Sequence, residues 1–258
     1  KENDSVVQWF CRSRPPMILP YPRPAATRIA HLPRTAFGAT VPPMISENKT
    51  LWVVRHGLRE DNDSVKWCEM TKHMVDPDLQ PLGVDMARAA AARLTGEPID
   101  HILSSPFLRT IRTASHFAHV LKKPVKIEYG LHEMLDAKWF PHGIPRLPTP
   151  AERHEQFPEI DLDYRAQQHP LYQEMHDKEF FGRRVQAMLD NVLAHLPGTV
   201  LMVTHYAVCN CLKHCLTGTY MDGYIEMTGL FKYVFKGGAW VPEWLCDASH
   251  VTPFYPKA

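Results

Sequence analysis

The sequence LWVVRHG at residues 51–57 decides the fold of this 258-residue chain. Its first four residues are apolar and mostly bulky or β-branched, a pattern that is typical of a strand buried on both faces of a parallel sheet. Arg55 and His56 follow at the carboxyl end of that strand, which is where open α/β sheets bind their ligands. The stretch therefore predicts an α/β fold with a binding site beside His56.

Two further runs of mostly apolar residues, at 99–103 and 199–204, end in a similar way. The first leads through a Ser-Ser-Pro sequence into a helix predicted at residues 107–121, with a serine hydroxyl as its N-cap. Arg109 falls in the first turn of that helix, where free backbone N–H groups already favour an anion. The second run is followed directly by His205. Three strand ends thus each supply a residue that suits a phosphate group.

The rest of the chain alternates helical and strand patterns around these three strands. Apolar periodicity and the positions of glycine and proline predict helices at 84–94, 180–196 and 206–216, a short strand at 125–129, and a closing hairpin formed by 224–235 and 239–245. This alternation favours one large α/β domain with a mostly parallel central sheet. We place that domain at residues 49–258.

Two segments depart from this regular alternation. Residues 1–48 are rich in proline, which fixes φ and removes a backbone donor, and we expect an extended or turn-rich N-terminal arm. Residues 134–178 are rich in proline, histidine and acids, with little periodicity, and are predicted to be an insertion that forms a lid or substrate-binding wall. Trp139, Phe140 and Tyr164 could face a ligand there, or they could only anchor the insertion.

Charge and cysteine content narrow the function classes. The formal net charge is +1 with both signs mixed, which argues against nucleic acid or a membrane surface as a partner. No apolar run approaches the ~20 residues that a membrane span needs. Six cysteines and the absence of a signal-peptide pattern favour a reduced, cytoplasmic location. Cys209, Cys211 and Cys215 invite a zinc interpretation, but they include no CxxC pair, and we favour buried helix cysteines.

These motifs resemble the histidine phosphatase (phosphoglycerate-mutase-like) superfamily from about Lys49 to the end of the chain. The resemblance is sharper to the phosphatase domains of the suppressor-of-T-cell-receptor-signalling proteins and of the insect ecdysteroid-phosphate phosphatases. Those share an Arg three residues after the His, matched by Arg59, and a Gly-Leu-x-Glu segment, matched by residues 130–133. The resemblance implies a three-layer α/β/α fold and a possible homodimer.

The resemblance also implies that His56 attacks the phosphoryl group and forms a covalent phosphohistidine. A neutral imidazole is available for this near neutral pH, because its usual pKa is ~6.5, and a backbone carbonyl just after His56 is expected to hold the other ring nitrogen. Arg55, Arg59 and Arg109 would clamp the phosphoryl oxygens through their planar forks of donors and should lower the pKa of His56. We expect Arg112, one helical turn later, to be structural. The cluster needs no metal or other cofactor.

Two more groups complete the predicted site. His205 is expected to be protonated beside the phosphate dianion and to donate a hydrogen bond to it. Glu133 is the candidate general acid, which would protonate the leaving oxygen and later activate water; Asp136 and Glu60 are the alternatives. The neighbouring arginines would lower the pKa of this carboxyl, so we expect an activity optimum on the acid side.

The leading hypothesis is a phosphatase whose substrate is a phosphotyrosyl or hydrophobic, aryl phosphate ester, carried by a small molecule or by a protein. A phosphoglycerate-type mutase shares the first half-reaction but needs a closed, strongly basic cavity. In the predicted insertion, arginines are interspersed with acids, which favours the less anionic substrate. The third hypothesis is a binding module that recognises phosphate without catalysis.

Overall fold

The computed structural model describes residues 45–62, 76–136, 144–168 and 178–251. Within them, strands and helices follow one another much as the sequence predicts. The helices are α1 Pro81–Arg93, α2 Leu108–Leu121, α3 Pro150–His154, α4 Lys178–His195 and α5 Tyr206–Thr217. The strands are β1 Thr50–Arg55, β2 His101–Ser104, β3 Val125–Ile127, β4 Val200–Thr204, β5 Leu230–Lys236 and β6 Ala239–Asp247.

The strands form a six-stranded sheet in the order β3-β2-β4-β1-β5-β6. Strands β3, β2, β4 and β1 are parallel, whereas β5 and β6 are antiparallel to their neighbours. The register pairs Arg55 with Thr204 and Ser104 with Val203. The carboxyl ends of β1, β2 and β4 therefore lie at one level of the sheet, and the predicted mostly parallel α/β class is confirmed.

Strand β1 is buried on both faces, as its unbroken apolar sequence predicts. Leu51 and Val53 pack with residues of α4 and α5, whereas Trp52 and Val54 pack with residues of α1 and α2. Burying a side chain of this kind stabilises the fold by about 1.5–3 kcal/mol. The sheet is therefore the middle of three layers, which confirms the predicted α/β/α arrangement.

The strand predicted at residues 125–129 ends early, at Ile127. The reason is the buried carboxylate of Glu128, which accepts hydrogen bonds from Gly130 N (3.1 Å), Gln167 N (2.7 Å) and the Tyr164 hydroxyl (2.9 Å). The chain turns there into a 3₁₀ turn instead of continuing extended. These bonds tie the far end of the predicted insertion to the sheet, so Tyr164 anchors the insertion.

The closing hairpin is present, with a shorter first strand than predicted. β5 begins at Leu230 and not at residue 224, because Thr228 has a φ of 56° that interrupts an extended chain. β5 and β6 join at Gly237 and Gly238, whose φ angles are 58° and 80°. A two-glycine turn of this kind matches the twist of the flanking strands.

Several predictions fall outside the described part of the chain. Trp139 and Phe140 lie there, as does almost all of the predicted arm at residues 1–48, so the arm and the domain bounds stay predictions. None of the described helices is long and apolar enough to span a membrane. Cys209 and Cys211 are buried among apolar side chains on α5, which agrees with the favoured interpretation of the helix cysteines.

Two backbone segments touch where the loop after β1 meets the start of α1. A Cβ on Gly57 would lie 2.5 Å from the carbonyl oxygen of Gly83, and a Cβ on Gly83 would lie 2.7 Å from the backbone nitrogen of Leu58. Backbone atoms cannot rotate away as a side chain can. Glycine at both positions therefore allows α1 to support the loop that begins at His56.

We expect Gly83→Ala to lower the free energy of unfolding by about 1–3 kcal/mol, the usual cost of overpacking. Gly182→Ala is the matched control, because Gly182 also lies in a helix and a Cβ there meets no atom within 4 Å. That substitution should raise the free energy of unfolding by roughly 0.5–1 kcal/mol. Urea unfolding measures both values. Equal effects of the two substitutions would contradict the close backbone contact.

Candidate active site

The ends of β1, β2 and β4 bring His56, Arg109 and His205 into one buried cluster. His56 N donates to Thr204 O (2.9 Å), and Ser105 N donates to Val203 O (3.1 Å), so the parallel ladder extends past the strand ends. The rings of His56 and His205 are 5.3 Å apart between centroids. All three side chains are almost fully shielded from solvent.

His56 is held as a neutral imidazole. Its Nδ1 lies 2.7 Å from Gly57 O, and a hydrogen on Nδ1 would satisfy that carbonyl and leave Nε2 with a free lone pair. Burial lowers the pKa of His56 well below its usual value, and the charges of Arg109, Arg55 and Arg59 lower it further. The sequence predicted the carbonyl and the direction of the shift, but burial is the larger cause.

Arg55 is fixed by two tyrosines and a carbonyl. Its Nη1 donates to the Tyr224 hydroxyl (2.8 Å) and to Ile225 O (2.5 Å). The guanidinium carbon lies 5.3 Å from the ring centroid of Tyr206 and 5.2 Å from that of Tyr224. A guanidinium placed against aromatic faces is held by cation–π attraction, which restricts its rotation. Neither tyrosine was singled out in the sequence.

Arg109 is the buried cation of the cluster, with 1% exposure. Burial, followed by the charge of Arg59, lowers its pKa to about 10. Its nearest acid is Asp76, 3.7 Å away, and its Nε and Nη1 atoms make no hydrogen bond to any described residue. A buried donor without a partner is costly, so this guanidinium is suited to an oxyanion.

Arg59 and Arg112 are both paired with acids. Nε of Arg59 donates to Asp61 (2.6 Å), and a third of its side chain is exposed. Its charge nevertheless acts on His56 and Arg109. Arg112 donates to both carboxylate oxygens of Asp78, at 2.9 and 3.1 Å from Nε, as expected for a structural residue.

Asp76 makes the capping hydrogen bonds that the sequence assigned to a serine hydroxyl. The N-cap of α2 is Phe107, whose side chain makes no capping bond, and Leu108 N donates instead to both oxygens of Asp76, at 3.0 and 3.1 Å. Asp76 also pairs with Arg153 of α3. The serine cap was wrong because Phe107 is still extended, with a ψ of 142°, and the helix begins only at Leu108, beyond both serines. No local pattern reveals Asp76, which lies 32 residues from its partner.

Glu133 enters the cluster from the turn after β3. Met134 N donates to its Oε1 (3.0 Å), and its Oε2 lies 3.8 Å from His205 Nδ1. Burial raises the pKa of Glu133, although Arg109 opposes the shift. The sequence predicted that the arginines would lower this pKa, which they do, but it did not predict that desolvation of the buried carboxylate outweighs their charges. A carboxyl with a raised pKa can act as an acid near neutral pH.

The turn that carries Glu133 is fixed from two sides. Nη2 of Arg184, on α4, donates to His132 O (3.0 Å), and its Nη1 donates to Gly130 O. From β4, the Thr204 hydroxyl donates to Leu131 O (2.7 Å). These bonds to backbone carbonyls place the carboxylate independently of its own side-chain contacts. Of the alternative acids, Glu60 lies in a 3₁₀ turn where its charge acts on Arg112.

His205 completes the cluster as a neutral imidazole. Its Nε2 lies 2.8 Å from Ser105 Oγ, and its ring packs edge-on against Phe107 with centroids 5.2 Å apart. Burial lowers the pKa of His205 well below its usual value, and the charges of Arg109 and His56 lower it further. The predicted protonated form refers to the phosphate-bound state and stays a prediction.

Comparisons with known proteins place the chain in a family. The pattern of the histidine phosphatase superfamily (branch 1) matches residues 51–247. Phosphoserine phosphatase 1 of Hydrogenobacter thermophilus is 29% identical over 177 residues, which cover 65% of this chain and 76% of that protein.

Solved structures share the fold. The ecdysone phosphate phosphatase of Bombix mori, in complex with tungstate, superposes with a TM-score of 0.63 at 20% identity, covering 75% of this chain and 91% of that one. Phosphoglycerate mutase of Bacillus anthracis str. Sterne superposes with a TM-score of 0.54 at 21% identity, and the match covers 80% of this chain and 96% of that one. The predicted phosphoglycerate-mutase-like fold is thereby confirmed.

We expect phosphate or vanadate to stabilise the protein, because an oxyanion would give the unbonded donors of Arg109 a partner. At a concentration 100 times its Kd, such a ligand adds about 2.7 kcal/mol to the free energy of unfolding. Arg109→Gln should abolish the rise in Tm measured by calorimetry. Arg88→Gln, which alters an exposed arginine of α1, should keep it. A rise that survives Arg109→Gln would place the anion elsewhere.

Proposed function

Because the chain belongs to the histidine phosphatase superfamily, we propose that it hydrolyses phosphomonoesters through a covalent phosphohistidine at His56. One observation carries this proposal: a buried imidazole whose Nδ1 is held by Gly57 O lies in the same cluster as the unsatisfied guanidinium of Arg109. A neutral Nε2 is a nucleophile, and a fixed guanidinium stabilises the charge on the equatorial phosphoryl oxygens.

In the first half-reaction, Nε2 of His56 attacks phosphorus, an N–P bond forms, and the bond from phosphorus to the ester oxygen breaks. Glu133 gives its proton to the departing oxygen, for which its raised pKa is suited. Arg55, Arg59 and Arg109 bind the phosphoryl oxygens, and His205 donates a further hydrogen bond. No charge in this step requires a metal ion, because guanidinium groups supply the stabilisation.

In the second half-reaction, the Glu133 carboxylate takes a proton from water and the resulting hydroxide attacks phosphorus. The N–P bond breaks, and His56 regains its lone pair while inorganic phosphate leaves. The same carboxyl thus serves as acid and then as base, which restores its proton after each turnover. The short distance between Glu133 and His205, 3.8 Å, supports a common site for both half-reactions.

For the substrate, we propose a phosphotyrosyl or other aryl or hydrophobic phosphate ester. Two observations support this class over the doubly anionic substrate of a mutase. The phenol rings of Tyr206 and Tyr224 flank Arg55, and Tyr224 is 43% exposed. In the described part of the insertion, Arg146 is bonded to Glu152 and Arg153 to Asp76. An apolar leaving group fits beside aromatic rings, whereas a second anion would have to compete with those acids.

We expect label from ³²P-labelled p-nitrophenyl phosphate to appear on His56 when turnover is quenched with alkali. The bond should be stable to alkali and labile to acid, as a phosphoramidate is. His56→Ala should carry no label and lose turnover, whereas His119→Ala, at an exposed position of α2, should behave as wild type.

Other outcomes of this experiment identify the rival functions. Label at another residue, or undiminished hydrolysis by His56→Ala, would overturn the phosphohistidine. Transfer of label to a second hydroxyl, without release of phosphate, would identify a mutase. Binding without turnover in wild type would identify a recognition module.

We expect Glu133→Gln to slow phosphorylation by phenyl phosphate about 10²–10⁴-fold, the usual contribution of a general acid. The loss should be much smaller with p-nitrophenyl phosphate, because that leaving group departs readily as the anion. Rapid-quench measurement of the first turnover reports this step. The controls Asp136→Asn and Glu60→Gln should show neither loss. An equal loss of rate with both esters would contradict the role of Glu133 as general acid.

A further inference from the structure

We propose that Ser105 is a positioning residue that holds His205 as the neutral Nδ1–H tautomer, aimed at Glu133 and the phosphoryl site. The proposal rests on the function proposed above, since it assigns the hydrogen bond that His205 would make during transfer. In this arrangement Ser105 becomes part of the site. His205 donates its hydrogen bond as an uncharged imidazole and not as the protonated ring that the sequence predicted.

The contact between the two side chains is short and completely enclosed. Ser105 Oγ lies 2.8 Å from His205 Nε2, and both residues have 0% exposure. The backbone of Ser105 is fixed by its bond to Val203 O (3.1 Å). The imidazole ring is held edge-on between Phe107 and His56, at 5.2 and 5.3 Å between centroids. The backbone bond and the two ring contacts restrict the geometry of this pair.

Hydrogen-bond accounting selects the direction of this bond. Phe107 N donates weakly to Ser105 Oγ (3.4 Å), so the serine oxygen already serves as an acceptor. Its own hydrogen then goes to Nε2 of His205. In the opposite direction, the hydroxyl would accept from both neighbours, and its hydrogen would be buried without an acceptor among the described residues. Buried polar groups that lack a partner are strongly disfavoured.

The surroundings of the other ring nitrogen also favour a hydrogen on Nδ1. Nδ1 of His205 makes no hydrogen bond to a described residue, and the nearest carboxylate oxygen, Oε2 of Glu133, is 3.8 Å away. When Glu133 is ionised, as it is after it has protonated the leaving oxygen, a bare lone pair on Nδ1 would face a carboxylate oxygen, whereas an N–H there would be attracted to it. The gap of 3.8 Å is too long for a hydrogen bond, and an inserted phosphoryl oxygen could accept from this N–H.

The charges around His205 explain why an uncharged donor is useful. Arg109, Arg59, His56 and His132 all act on this ring, with Glu133 as the opposing acid. Burial and these neighbours lower the pKa of His205, so an imidazolium would be disfavoured before substrate binds. A fixed tautomer supplies the N–H without adding a proton to a cluster that is already cationic.

The test reads the tautomer directly by long-range ¹H–¹⁵N spectroscopy of histidine-labelled protein, with the His205 signal assigned by its loss in His205→Gln. Wild type should show Nδ1–H. Ser105→Ala should show a population of Nε2–H, because Nε2 has lost its donor. Ser104→Ala is the matched control: Ser104 is the neighbouring serine, also has 0% exposure, and donates to a backbone carbonyl. It should keep the wild-type tautomer.

Kinetics provide the second readout. Ser105→Ala should reduce kcat about 10- to 100-fold with little change in KM, below the loss seen when an oxyanion donor is removed outright, whereas Ser104→Ala should keep both constants. Ser105→Cys, which retains a weak donor, should have a kcat between those of Ser105→Ala and the wild type.

Three results would overturn the proposal: Nε2–H in wild type, an unchanged tautomer in Ser105→Ala, or an unchanged kcat in that variant. The wild-type spectrum tests the proposed tautomer even if Ser105→Ala does not fold. Failure to label His56 would instead refute the proposed function and leave the tautomer measurement standing.

Discussion

The parallel pairing of β1 with β4 is the interaction on which the site depends. It aligns Arg55 with Thr204 and extends one step further, where His56 N donates to Thr204 O. Because strand side chains alternate between faces, a slip of one residue would move His56 away from His205 and turn the apolar residues of β1 to the wrong layers. The burial of β1 on both faces thus fixes the register, and the register fixes the distance between the two imidazoles.

Burial also sets the protonation states of the candidate residues. It is the largest cause of the lowered pKa of His56 and His205 and of the raised pKa of Glu133. The arginines reinforce the shift at the histidines and oppose it at the carboxyl. Among exposed arginines Glu133 would be a poor acid, whereas burial of the same cluster keeps His56 neutral and raises the pKa of the Glu133 carboxyl. Desolvation, more than the count of charges, makes the arrangement suitable for phosphoryl transfer.

The fold and the residues of the cluster could be predicted because they follow local patterns. Apolar runs predicted β1, β2 and β4, and the glycine pair predicted the hairpin. The positions just after the strand ends indicated His56, Arg109 and His205 as candidate site residues. Contacts between distant, irregular segments could not be predicted. Asp76 caps α2, and Ser105 bonds to His205 across 100 residues. A hydroxyl next to a helix start predicts a cap, and only the packing of β2 against β4 turns it toward an imidazole instead.

The same division applies within the candidate site. The candidate nucleophile, the buried guanidinium and the second histidine lie on or beside strand ends, which the three layers hold rigidly. Two carboxylates are among the contacts that join the described part of the insertion to this core: the partly exposed Asp76 binds Arg153 and lies 3.7 Å from Arg109, while the buried Glu128 holds Tyr164. A change at Asp76 would disturb Arg109, the start of α2 and the insertion together, because Asp76 contacts all three.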